Sequence, residues 1–111
     1  MTKLQEFALF KKECLKWAKR WGLEDWRYDF SLKELDGDIA DCGTDSINRI
    51  ITLELSTIKP FSASFIRETA KHEIIHVLIG DLRSLGCARF LTTDEWDAAE
   101  HRVVRKLEGL L

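Results

Sequence analysis

The period of the apolar residues changes between residues 21 and 26, and no other feature of the chain limits its fold as much. Leu4, Phe7, Phe10, Cys14, Trp17 and Trp21 recur at steps of three and four, with Lys11, Lys12, Lys16, Lys19 and Arg20 on the other side. That spacing marks one face of an amphipathic helix, which Gly22 is placed to close. From there Trp26, Tyr28, Phe30 and Leu32 alternate with Arg27, Asp29, Ser31 and Lys33. Strict alternation is the pattern of a half-buried strand.

The remainder extends this order. The segment LDGDIADCG offers a turn and a second short strand, and residues 48–55, NRIITLEL, a third with many β-branched side chains. Three consecutive strands predict a small antiparallel or mixed sheet. Pro60 separates it from a helix that Ser62 or Ser64 can cap and that is expected to stop at Gly80. Residues 83–91 read as a loop. A last helix starts at Thr92, where Thr-Thr-Asp-Glu places Glu95 at the third position of a capping box, and continues to the C-terminus. The predicted class is α+β: an N-terminal helix, three strands and two further helices. With 111 residues, 45% of them hydrophobic, the chain can bury one core, so residues 1–111 form one expected domain.

Charge and composition narrow the partners. Lys and Arg number 17 against 19 Asp and Glu, a net charge of -2, so no global basic field draws the chain to nucleic acid. The lysines of the first helix are read as a solvated face, and nucleic acid is not an expected partner. No apolar run approaches the ~20 residues of a membrane span, and charge is mixed through the N-terminus, so a soluble, cytoplasmic protein is expected. Cys14, Cys42 and Cys87 are odd in number and far apart, which predicts reduced thiols rather than a disulfide framework.

The chemistry lies in the second helix, which contains His72-Glu73-Ile74-Ile75-His76. Residues four apart stand one above the other on a helix, so both imidazoles can reach one ion. Glu73 falls about 100 degrees around from His72, where it can accept a proton from the attacking water without binding the metal. Its own stripe, Ile66, Ala70, Val77 and Gly80, is apolar, and a carboxylate there is costly to bury unless it is used. Hydrolytic zinc sites take three protein ligands and leave a fourth position open. Candidates for the third are Glu95, Glu100, His101 and Asp81, with Cys87 further off. Glu100 is preferred: Glu95 has a capping role, whereas Trp96, Val103, Val104 and Leu107 put Glu100 on the face expected to pack inward.

This motif, with the Glu100-His-Arg-Val-Val segment after it, resembles the zincin metallopeptidases. Within them it resembles the gluzincin-like kind, in which a glutamate on a following helix completes the site. Small phage- and prophage-borne metallopeptidase-like proteins are the nearest likeness, and the ImmA/IrrE-type peptidases share the same general order more distantly. The resemblance covers roughly residues 24–111. It implies a minimal zincin-like domain, one zinc ion per chain, a peptide or protein substrate and hydrolysis of peptide bonds. It also implies that the third strand, residues 49–55, borders the cleft and pairs with an extended substrate. In that mechanism zinc lowers the pKa of water and polarises the scissile carbonyl, while Glu73 takes up the proton and returns it to the leaving amine. Tyr28 and His101 are candidates for the oxyanion. The alternative is a zinc-binding regulatory or nucleic-acid-associated module without turnover.

Overall fold

The computed structural model describes residues 1–86 and 92–109, with backbone alone at 81–86, 106 and 107. Six elements follow in order: α1 (Lys3–Arg20), β1 (Arg27–Lys33), β2 (Ala40–Asp45), β3 (Ile50–Ser56), α2 (Ala63–Gly86) and α3 (Thr93–Glu108). The class is α+β, with the expected helix, three strands and two helices.

The sheet is mixed. Its spatial order is β1-β3-β2, with β1 parallel and β2 antiparallel to β3. One face is covered by helices: Ile51, Leu53 and Leu55 of β3 are fully buried, while Thr52 between them is exposed. Register places Tyr28, Phe30 and Leu32 of β1 and Thr44, Cys42 and Ala40 of β2 beside those three. The core fills the space between this face and Phe10, Cys14, Ala18, Ile66, Ala70, Ile74 and Val77 of α1 and α2.

The central position of β3 corrects the expectation that it borders a cleft. Both of its edges are occupied, by β1 and by β2, so no peptide can pair with it. The open edge near α2 belongs to β2. Periodicity identifies strands but does not order them, because the order depends on which edge each connection crosses.

The helices are tied at their starts. Thr2 caps α1 in a reciprocal capping box with Gln5. Ser62 rather than Ser64 caps α2, its Oγ accepting the Phe65 amide at 3.2 Å. Thr92 caps α3, accepting the Glu95 amide at 3.1 Å and donating its hydroxyl to Glu95 Oε1 at 3.1 Å. Glu6 is buried on α1, where it pairs with Lys3 at 3.1 Å and accepts the Phe61 amide at 3.0 Å. Leu4, expected on the buried stripe, is exposed. Two carboxylates, Glu6 and Glu13, rotate that stripe because each finds a cation there; Glu13 is held by Lys16 at 2.9 Å and Arg67 of α2 at 3.7 Å.

Two expectations about α2 and α3 are overturned. α2 does not stop at Gly80 but runs to Gly86, so residues 83–86 are helical rather than loop, and 87–91 lie outside the described residues. Positive φ, the signature of a glycine that ends a helix, occurs at Gly22 and Gly37 but not at Gly80. Among the described side chains of α3, Ala99 and Val103, one turn apart, are buried, whereas Trp96 and Val104 are each 42% exposed. Glu100 therefore faces solvent and not the core. The inward stripe is narrower than the apolar positions suggest, because α3 packs chiefly on the single helix α2.

Candidate metal centre

The site is built on one turn of α2. His72 and His76 are exposed, and their Nε2 atoms lie 3.3 Å apart with the rings crossed at 78°. Two nitrogens bound to one tetrahedral zinc at 2.0–2.1 Å are separated by about 3.3 Å, the chord of the tetrahedral angle. The separation of the pair therefore matches two corners of a zinc shell.

Glu73 sits beside them on the same helical turn and lines a cleft with each. It is 8% exposed and makes no hydrogen bond or ion pair among the described residues, while Ile66, Ala70 and Val77 of its stripe are buried with it. Burial raises its carboxyl above the usual range, and Asp41 and Asp38 add to that effect; the adjacent His72 and His76 act against it. A buried, unpartnered carboxylate beside two metal-spaced imidazoles has the placement that a general base needs.

Two clefts meet at Glu73. The larger, about 760 Å³, runs between β2 and α2 and is lined by Asp38, Asp41, Cys42, His76 and Gly80 among others. The smaller, about 390 Å³, is lined by Ile39, Phe65, Glu68, Thr69 and His72. Ser56 donates its amide to the Ile39 carbonyl, and the register then makes Asp41–Glu54 and Gly43–Thr52 the hydrogen-bonded pairs. Ala40, Cys42 and Thr44 consequently turn their backbone groups toward the open edge. Asp41 caps that edge, its Oδ1 accepting the Cys42 amide at 2.9 Å. This open edge was missed by sequence reasoning, and only strand order distinguishes β2 from β3.

The other sequence candidates are dispersed. Among the described residues no three His, Cys, Asp or Glu side chains are grouped to hold an ion, so Glu100, Glu95 and His101 do not join the pair as a finished set. Glu95 is engaged by Thr92 at the start of α3. His101 is exposed and donates its Nδ1–H to the Asp97 carbonyl at 2.7 Å. Cys87 and the side chain of Asp81 lie outside the described residues. Tyr28 donates its hydroxyl to the Leu23 carbonyl at 2.6 Å, so it is held by the fold rather than offered to an oxyanion. Cys14 is buried and Cys42 half-buried, both as free thiols, and burial raises the thiol of each. No helix among the described residues is long and apolar enough to cross a membrane. No protein-family profile, curated protein or solved structure matches the chain.

Proposed function

We propose that this protein is a zinc-dependent metallopeptidase in which His72 and His76 hold one ion and Glu73 is the general base. The observation that carries this reading is the contrast within one helical turn: two exposed imidazoles at the zinc chord beside a buried carboxylate with no partner. A purely structural metal site has no use for such a base, and an ordinary core would not leave it unpaired. Zinc, when bound, supplies an acidified water and a polarised carbonyl. Glu73, whose side chain is mostly buried but lines both clefts, takes the proton of the attacking water and delivers it to the leaving nitrogen.

Glu100 is the proposed third ligand. It lies on α3, the helix that packs on α2, one residue from the buried Ala99. An extended peptide would lie along β2, whose outward groups at Ala40 and Thr44 are free to pair and whose edge lines the larger cleft.

The deciding experiment is elemental analysis of freshly purified protein offered zinc, followed by incubation with a mixed peptide library. One zinc per chain and cleavage that Glu73→Gln abolishes would support the reading. Protein that stays metal-free would sink it. Zinc without any cleavage would identify a regulatory zinc module instead.

A further inference from the structure

Resting on the peptidase reading of this site, we propose that the cleft between β2 and α2 selects a cationic group on its substrate through Asp38 and Asp41. The group is an ammonium or guanidinium, carried by a lysine or arginine side chain or by a free amino terminus.

Three observations converge on this cleft. Asp38, Asp41 and Glu73 all line it, and none of its described lining residues is a lysine or arginine. Glu73 is 8% exposed and unpartnered, so a buried carboxylate with no cation of its own already faces this space. Asp41 is exposed, and the Cys42 amide holds its Oδ1 at 2.9 Å on the rim, beside the open edge where a bound strand would lie.

Carboxylates that share a concave space with low-dielectric walls add their fields, and the sum attracts a cation more strongly than either does alone on an open surface. His76 marks the metal end of the cleft, whereas Asp38 and Asp41 come from the sheet side, next to the backbone groups of Ala40 and Thr44. A peptide paired with β2 therefore passes its side chains within reach of both aspartates. A glutamate at that place meets like charge; a lysine meets two carboxylates with no lysine or arginine among the described lining residues to compete for them. The discrimination is electrostatic, so it separates substrates by charge and not by shape.

The test measures binding, so that its failure is distinct from failure of the peptidase reading, which would show as absence of cleavage by the wild type. Four fluorescent peptides are titrated by anisotropy against the full chain carrying Glu73→Gln, which prevents turnover. Three are acetylated and differ only in a central Lys, Gln or Glu; the fourth has the central Gln and a free amino terminus. The acetylated Lys peptide or the free-amine peptide is expected to bind about tenfold tighter than the Glu peptide, the size that two partly exposed charge pairs supply. Whichever of the two is tighter identifies the source of the cation. The preference should shrink in salt of about 0.5 M, where screening is strong, and fall to near unity in Asp38→Asn/Asp41→Asn, with Asp38→Asn alone as the second variant if the pair does not fold. Equal binding of Lys and Glu peptides would overturn the proposal, as would a preference that survives the asparagines. Loss of zinc from the asparagine variants would overturn it as well, by making those carboxylates metal ligands.

Discussion

Gly80 of α2 faces Thr44 of β2, and a methyl group added at Gly80 would stand 3.8 Å from Thr44 Cγ2, an ordinary packing distance. The motif helix approaches the β2 edge of the sheet here, and both residues line the larger cleft. The glycine is thus neither a helix stop nor a forced close approach. Gly80→Ala should stabilise the protein by about 0.5–1 kcal/mol, because an interior helical glycine loses that much against alanine. A thermal melt checks it; a lower melting temperature would mean that the helix cannot accept the methyl against β2.

His72→Ala and His76→Ala should each remove the bound zinc, since two corners of the shell are lost or left to a single imidazole. Zinc at roughly a hundredfold above its Kd should stabilise the wild type by about 2.7 kcal/mol through mass action, and neither variant. Calorimetric melts with zinc and with chelator measure the difference. A variant that still gained stability from zinc would place the ion elsewhere.

Glu73→Gln should keep zinc, lose hydrolysis and raise the stability of the metal-free protein. The first two follow from its role as base rather than ligand. The third follows from burial: the glutamine amide removes a charge that burial disfavours and that no described cation pairs with. Metal content, peptide turnover and urea midpoints of one preparation test all three, and a destabilised variant would show that Glu73 has a structural partner.

Glu100→Gln should weaken zinc binding by more than about tenfold, as expected for loss of a direct carboxylate ligand. Glu95→Gln and His101→Ala should not, because Glu95 is held by Thr92 and His101 by the Asp97 carbonyl. Side-by-side competition with a chromophoric chelator measures the three. An equal loss in either of the others would move the third ligand.

The thiols predict an alkaline limit to stability. Burial is the first cause that raises Cys14, Cys42 and Tyr28, with Glu73 and Asp41 adding to Cys42, which is pushed up to about 12 from an ordinary 9.0. The folded state therefore holds these protons more tightly than the unfolded chain. Their contribution is complete below the ordinary thiol range and is lost as pH rises through the folded values, so urea midpoints should fall from about pH 9 upward. At pH 8 the thiolate fraction of Cys42 is therefore well below that of an ordinary cysteine, and its alkylation, followed by peptide mapping, should be slowed. Fast alkylation of Cys42 at that pH would contradict its placement.

Local chemistry was readable from the residues themselves. A helical period over Leu4 to Trp21, alternation over Trp26 to Leu32 and the caps at Ser62 and Thr92 each act over a few residues, and the elements they predict are present. The spacing of His72 and His76 is likewise a property of any helix, which is why the imidazole pair needed no tertiary information. The burial of Glu73 followed from its apolar stripe, but that no described cation pairs with it is a tertiary fact.

What the sequence did not contain was the arrangement of elements whose local signals are alike. β2 and β3 both read as strands, yet β3 is central and β2 lies at an edge, because β1 pairs in parallel with one side of β3 and β2 antiparallel with the other. Gly80 and Gly22 are the same residue type, but Gly22 takes a positive φ after α1 while Gly80 lies inside a helix that continues to Gly86. Ala99 and Glu100 are neighbours on α3, and which of them is buried depends on how far that helix is rotated against α2. Helix rotation and strand order are set by which packing buries most apolar surface across the whole domain, a sum over distant residues that no local period encodes.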